Sequence, residues 1–129
     1  MAHITKTIKS GVYPNHVVFH YGGKKPLRKW FESKHGERWD DLNIRTPRVA
    51  SAYQFDNGHV LIWLNYPIEK MSESGLAGII AHEANHAVSM IFHDLGIVAD
   101  YENDEAHCYF LQHLVIEIHK AVRRVKKKA

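Results

Sequence analysis

The sequence predicts an α+β domain, a small mixed sheet followed by two long helices. Three observations predict it. Short runs of β-branched and aromatic residues, broken by Gly, Pro and Asn, fill the first half. An Asn57-Gly58 pair separates two of those runs, and from Ser72 onward apolar residues recur at helical spacing. Strands and a helix, then a hairpin, then two helices is the order of an α+β fold.

Residues 4–21 read as two short strands around Gly11, Pro14 and Asn15, the clearer one at residues 16–20, HVVFH. Gly22 and Gly23 end it, and Pro26 suits the first turn of a helix in which Leu27, Trp30 and Phe31 recur up to Gly36. Residues 37–47 are polar and irregular and read as a loop, with Asp40-Asp41 as a turn. Asn57-Gly58 favours a two-residue type I′ hairpin between residues 49–55 and 59–66, which would pair Phe55 with Val60 and Tyr53 with Ile62. The second strand is apolar at successive positions and should be covered on both faces. Ser72 or Ser74 can cap a helix that ends at Gly96. A last helix begins near Asn103, with Ala106, Phe110, Leu114 and Ile118 as one buried stripe and Leu111, Val115 and Val122 beside it.

The chain has 129 residues, 45% hydrophobic and 24% charged, which suits one domain over 1–129 and excludes a disordered chain. The single cysteine, Cys108, excludes an intramolecular disulfide framework and reads as a small core residue. Residues 75–92 are the longest weakly charged stretch, but His82, Glu83, Asn85 and His86 in its middle argue against a membrane span. The start, MAHITKTIKS, lacks the apolar core of a secretory signal, so a cytoplasmic setting is expected. The net charge of +3 is unevenly placed: Lys120, Arg123, Arg124, Lys126, Lys127 and Lys128 lie in a tail at 120–129, and the rest holds 11 basic against 14 acidic residues. That tail reads as a solvated, fraying helix end able to make weak nonspecific contact with nucleic acid.

The chemistry is concentrated in His82-Glu83-Ala84-Asn85-His86, an HExxH sequence. Positions i and i+4 of a helix lie one above the other, so both imidazoles can reach one metal ion, while Glu83 projects at a neighbouring angle. Such a helix can hold Zn²⁺ with one position open to water, whose proton the carboxylate takes. In a shuffled chain of this composition the pattern would arise about 0.06 times. The surrounding helix is apolar on nearly every face, so an unpaired imidazole or carboxylate there would be costly.

A third ligand is needed. Ser89 and Phe92 stand where HExxHxxGxxH would have Gly and His, and His93 reads as a polar residue at the helix end. Glu105, 19 residues past His86, opens the apolar stripe of the last helix and is the preferred ligand, with Glu102, Asp104 and His107 as competitors. Tyr101, Tyr109 and His107 are candidates for stabilising a tetrahedral intermediate. His16, His20, His35, His59 and His119 read as surface or packing residues, and Trp30, Phe31, Tyr53, Phe55 and Trp63 as core.

HExxH followed about twenty residues later by Glu-Ala on a second helix resembles the gluzincins, zinc peptidases of thermolysin type. The resemblance implies a minimal zincin-like fold, with His82, His86 and Glu105 as zinc ligands and Glu83 as general base. HEANHAVSMIFHDLGI and NDEAHCYFLQHLV also resemble small single-domain HExxH proteins of phages and prophages, in which Asp104, Glu105, Ala106, Tyr109 and Gln112 match the second motif and His113 replaces an aromatic residue. Thermolysin-type enzymes carry Asp four residues after the third ligand; here Tyr109 stands there, a candidate catalytic or orienting group. Resemblance to zincins further implies that an extended peptide pairs with the edge of the sheet, along residues 59–66 or the neighbouring strand. The expectation is therefore a cytoplasmic zinc metallopeptidase acting on a peptide or protein, in the host cytoplasm if phage-encoded. The alternative is a zinc-stabilised binding or regulatory protein of phage origin.

Overall fold

A computed structural model describes residues 2–128; Met1 and Ala129, the two ends of the expected domain, lie outside it. The elements are β1 (Ile4–Ile8), β2 (Val17–Tyr21), α1 (Lys24–His35), a 3₁₀ turn (Trp39–Leu42), β3 (Ala50–Gln54), β4 (Val60–Leu64), a second 3₁₀ turn (Ile68–Lys70), α2 (Glu73–Leu95) and α3 (Glu105–Lys128). The α+β class is the one observed. The four strands form one mixed sheet in the order β1-β2-β4-β3, with β2 and β4 parallel and both outer pairs antiparallel. Among the described residues no helix is long and apolar enough to cross a membrane.

The two central strands, VVFHY and VLIWL, are buried at every position because both sheet faces are covered. On one face, Val17, Phe19, Tyr21, Val60, Ile62 and Leu64 pack against α2 and α3. On the other, Val18, Leu61 and Trp63 pack against Leu27 and Phe31 of α1 and against Trp39. Trp39, only 2% exposed, shows that the expected loop at residues 37–47 contains a core-forming turn. Its polar neighbours Asp40, Asp41 and Asn43 hide it in the sequence. Trp63 hydrogen-bonds the Gly22 carbonyl through Nε1 at 2.8 Å, so its polar edge is satisfied in the core.

His20 is fully buried in β2, and both ring nitrogens are engaged. Nε2 lies 2.9 Å from the Gly23 carbonyl, which can only accept, so Nε2 carries the proton and Nδ1 accepts from the Thr5 hydroxyl at 2.7 Å. The ring is thus held in one neutral tautomer.

The hairpin departs from the expected register by one residue. Gln54 faces Val60 and Tyr53 faces Leu61, while Phe55 N–H donates to the His59 carbonyl at 2.8 Å. The loop therefore has three residues, 56–58, with Gly58 in the left-handed region at φ 88° and its N–H bonded to Phe55 O. Asn-Gly suits this bulged loop as well as the two-residue turn, and the shift moves Tyr53 and Phe55 to the α1 face.

Gly58 also marks a close approach. Its carbonyl accepts from Asn15 Nδ2 at 2.7 Å, and a Cβ there would lie 2.5 Å from Asp94 Oδ2 and 2.7 Å from Asn15 Nδ2. Gly58→Ala is expected to destabilise the fold by about 2 kcal/mol through backbone strain and displacement of buried Asn15. Urea denaturation measures this; a loss under about 0.5 kcal/mol would contradict the close approach.

α2 starts at Ser72, whose Oγ accepts from Gly75 N–H, and ends in a Schellman motif in which Gly96 at φ 71° bonds His93 O and Ile97 N–H bonds Phe92 O. Three expectations for α3 need correction. Its buried stripe begins at Phe110, because Ala106 in the first turn lies beyond the edge of the core and is exposed. Cys108 is likewise exposed, on the outward side of the helix. The basic end is not wholly solvated: Ala121, Val122 and Val125 are buried against the core, and Lys120, Arg123, Arg124 and Lys127 line the opposite, exposed side. α3 is also tied to β1, since Lys6 Nζ donates to Glu117 Oε2 at 2.9 Å and His113 Nε2 to the Lys9 carbonyl at 3.0 Å.

Candidate metal centre

α2 buries one side and opens the other. Leu76, Ile80, Ala84, Ala87, Val88 and Ile91 form the side packed against the sheet and α3. Gly78, Ala81, His82, Asn85, His86, Ser89 and His93 form the open side. The expectation that α2 is apolar on nearly every face is therefore corrected, because small residues interleave with the polar ones there. The burial cost foreseen for the whole motif falls on Glu83 alone, which is 8% exposed.

His82 and His86 converge as the i, i+4 spacing requires. Their Nε2 atoms are 3.1 Å apart and the rings meet edge to face. Two nitrogens bound to one Zn²⁺ at ordinary bond lengths in a tetrahedron would be about 3.3 Å apart, so the pair has the spacing of two metal ligands. Glu83 lies behind them, its Oε1 3.9 Å from His82 Nε2, too long for a hydrogen bond. A buried carboxylate beside two converging imidazoles is an arrangement that favours a cation at the imidazole tips.

The remaining candidates are placed differently. Glu105 is exposed at the first residue of α3, and among the described residues no three His, Cys, Asp or Glu side chains are grouped to hold a metal ion. The histidine pair thus supplies two donors at the spacing of metal ligands, and Glu105 is not brought together with it. Tyr109 is 67% exposed. Tyr101 is 88% exposed, its hydroxyl donating to Glu102 Oε1 at 3.1 Å. Asp104 is half-buried just before α3, and His93 is exposed at the end of α2, as its position suggested.

One residue at the site was not singled out from the sequence. Asn85, inside the HExxH motif, lies 2.8 Å through Oδ1 from His107 Nε2, and the His107 ring also meets Phe92 edge-on. Since the amide oxygen accepts, His107 carries its proton on Nε2 and is turned toward α2. This bond fixes the first turn of α3 beside the helix of the histidine pair. The signal in the sequence was a polar amide one residue before His86, on the same open side.

No family model, curated protein or solved structure matches the chain.

Proposed function

We propose that the chain is a zinc-dependent metallohydrolase of minimal zincin type, acting on peptides. The observation that supports this reading is the convergence of His82 and His86 at 3.1 Å on an open helix side, with buried Glu83 next to them. His82 and His86 would hold the ion, which supplies a Lewis acid and a water that loses its proton near neutral pH. Glu83 would be the proton acceptor beside the pair, its carboxylate buried away from bulk water. Glu105 would serve as third ligand, from a first turn of α3 that the His107–Asn85 bond holds beside α2. Tyr109 lies one helical turn further on, as an orienting group for a ligand or substrate. Of the two strands in the hairpin, β3 is the one at the sheet edge, so an extended substrate pairs there and not with β4. The same reading sets the protein in a cytoplasm, that of the host if it is phage-encoded.

The exposed position of Glu105 favours a second reading, a binding protein that holds metal at the histidine pair without catalysis. Metal analysis tests the shared premise. After zinc loading and gel filtration, the wild type should retain about one zinc per chain, His82→Ala none, and Glu105→Ala substantially less than one. A wild type without zinc, or a His82→Ala variant that keeps it, would overturn both readings. Full zinc in Glu105→Ala would remove Glu105 from the ligand set.

A further inference from the structure

The sheet face opposite α2 and α3 is only partly roofed. Toward the β3–β4 hairpin, α1 and the Trp39–Leu42 turn leave a cleft of about 780 Å³, within the size range of small-molecule sites. None of the residues lining it belongs to α2 or α3, so it is separate from the histidine pair. Part of its wall is aromatic. Phe31 and Phe55 stack with centroids 5.8 Å apart, Tyr53 meets Phe55 edge-on at 5.4 Å, and Trp30 stands on α1. Trp30, Tyr53 and Phe55, expected as core, are only half-buried, which leaves ring surface open to the cleft.

The charge around these rings selects the ligand. Glu37, Asp41 and Asp56 are exposed at the rim, against Lys9 and Lys34. The carbonyl end of α1, the negative end of its dipole, lies at the same wall through Lys34 and His35. His59 adds no positive charge there at neutral pH: its Nδ1 accepts from the His16 N–H at 2.8 Å, and burial holds it below the ordinary histidine range, with His16 and His35 lowering it further. The wall already takes a cation from the chain itself, for Lys34 Nζ lies 5.6 Å from the centre of the Trp30 ring.

We propose that this cleft binds a small organic cation carried on an apolar body, its ammonium group against Trp30 and the rim carboxylates and its body against Phe55 and Tyr53. Lys34 occupies the Trp30 face in the absence of ligand and swings out when the ligand enters.

The test is a titration of the ¹H–¹⁵N spectrum with choline, with 3,3-dimethylbutan-1-ol (the same shape without the charge) and with benzyltrimethylammonium. Both cations should shift the Trp30 indole signal, benzyltrimethylammonium binding tighter than choline and the alcohol roughly fivefold weaker than choline. Trp30→Ala should weaken cation binding at least about fivefold, and Lys34→Gln should tighten it by removing the competing ammonium. His82→Ala should leave it unchanged. Equal binding of choline and the alcohol, weaker binding in Lys34→Gln, or no binding of either cation would overturn the proposal. Lys34 is exposed, so its variant decides the matter even if Trp30→Ala fails to fold.

Discussion

Replacing Glu83 by Gln is expected to leave zinc content unchanged and to lower peptide hydrolysis by about 10²- to 10⁴-fold. Gln has the size of Glu, so the buried position beside the histidine pair stays filled and His82 and His86 keep their convergence. What is lost is the carboxylate that accepts a proton. Hydrolysis of a mixed fluorogenic peptide library, normalised to bound zinc, measures the effect. Full activity in Glu83→Gln would sink the proposed mechanism. A wild type that binds zinc but cleaves no peptide would favour the binding-protein reading instead.

The second large effect concerns stability against pH. Burial in β2 lowers the His20 pKa to about 4, against an opposing pull from its bond to Gly23 O, and His3 adds a further lowering. In the unfolded chain the same ring titrates near 6.5. Above that value both states are neutral and the fold keeps its full stability. Between pH 6.5 and 4 the unfolded chain takes up a proton that the folded chain refuses, so stability falls as pH falls, by about 3 kcal/mol in all. Burial lowers His59 and His119 as well, which steepens the same decline. The Glu117 carboxyl is also held low, chiefly by its hydrogen bond from Lys6, and its contribution is lost at still lower pH. Urea denaturation at pH 7.5, 6 and 4.5 in the presence of a chelator should show the decline, and His20→Gln should flatten it. A stability that stays level over this range, or an unchanged slope in His20→Gln, would show that burial does not keep His20 neutral.

Much of the fold is legible because it rests on local chemistry. A serine at 72 or 74 and Gly96 bound α2 in the sequence because a hydroxyl cap and a left-handed glycine act within one turn, and the structure selects Ser72. The unbroken apolar run of β4 gives its burial on both faces for the same reason. The hairpin register is not legible, since Asp56-Asn57-Gly58 satisfies more than one turn and the packing of Tyr53 and Phe55 decides between them. Trp39 is hidden by its polar neighbours Asp40, Asp41 and Asn43, which face out while it faces in. At the site, the meeting of His82 and His86 follows from one helix and can be read directly. The place of Glu105 depends on how α3 crosses α2, an angle set by Phe92, Phe110 and the His107–Asn85 bond, and no spacing of residues encodes it. The cleft is less legible still, because its walls come from several separate segments of the chain.

The ties between β1 and α3 bear on how the protein is made. Lys6 meets Glu117 and Lys9 meets His113, contacts that span more than a hundred residues. On a ribosome, β1 emerges long before its partners, and the apolar side that β1 and β2 share waits for Phe110, Leu114 and Ile118. The nascent chain must carry that surface bare until α3 has cleared the exit tunnel. Collapse of this face thus waits for α3, and the waiting interval is when a chaperone would find its grip.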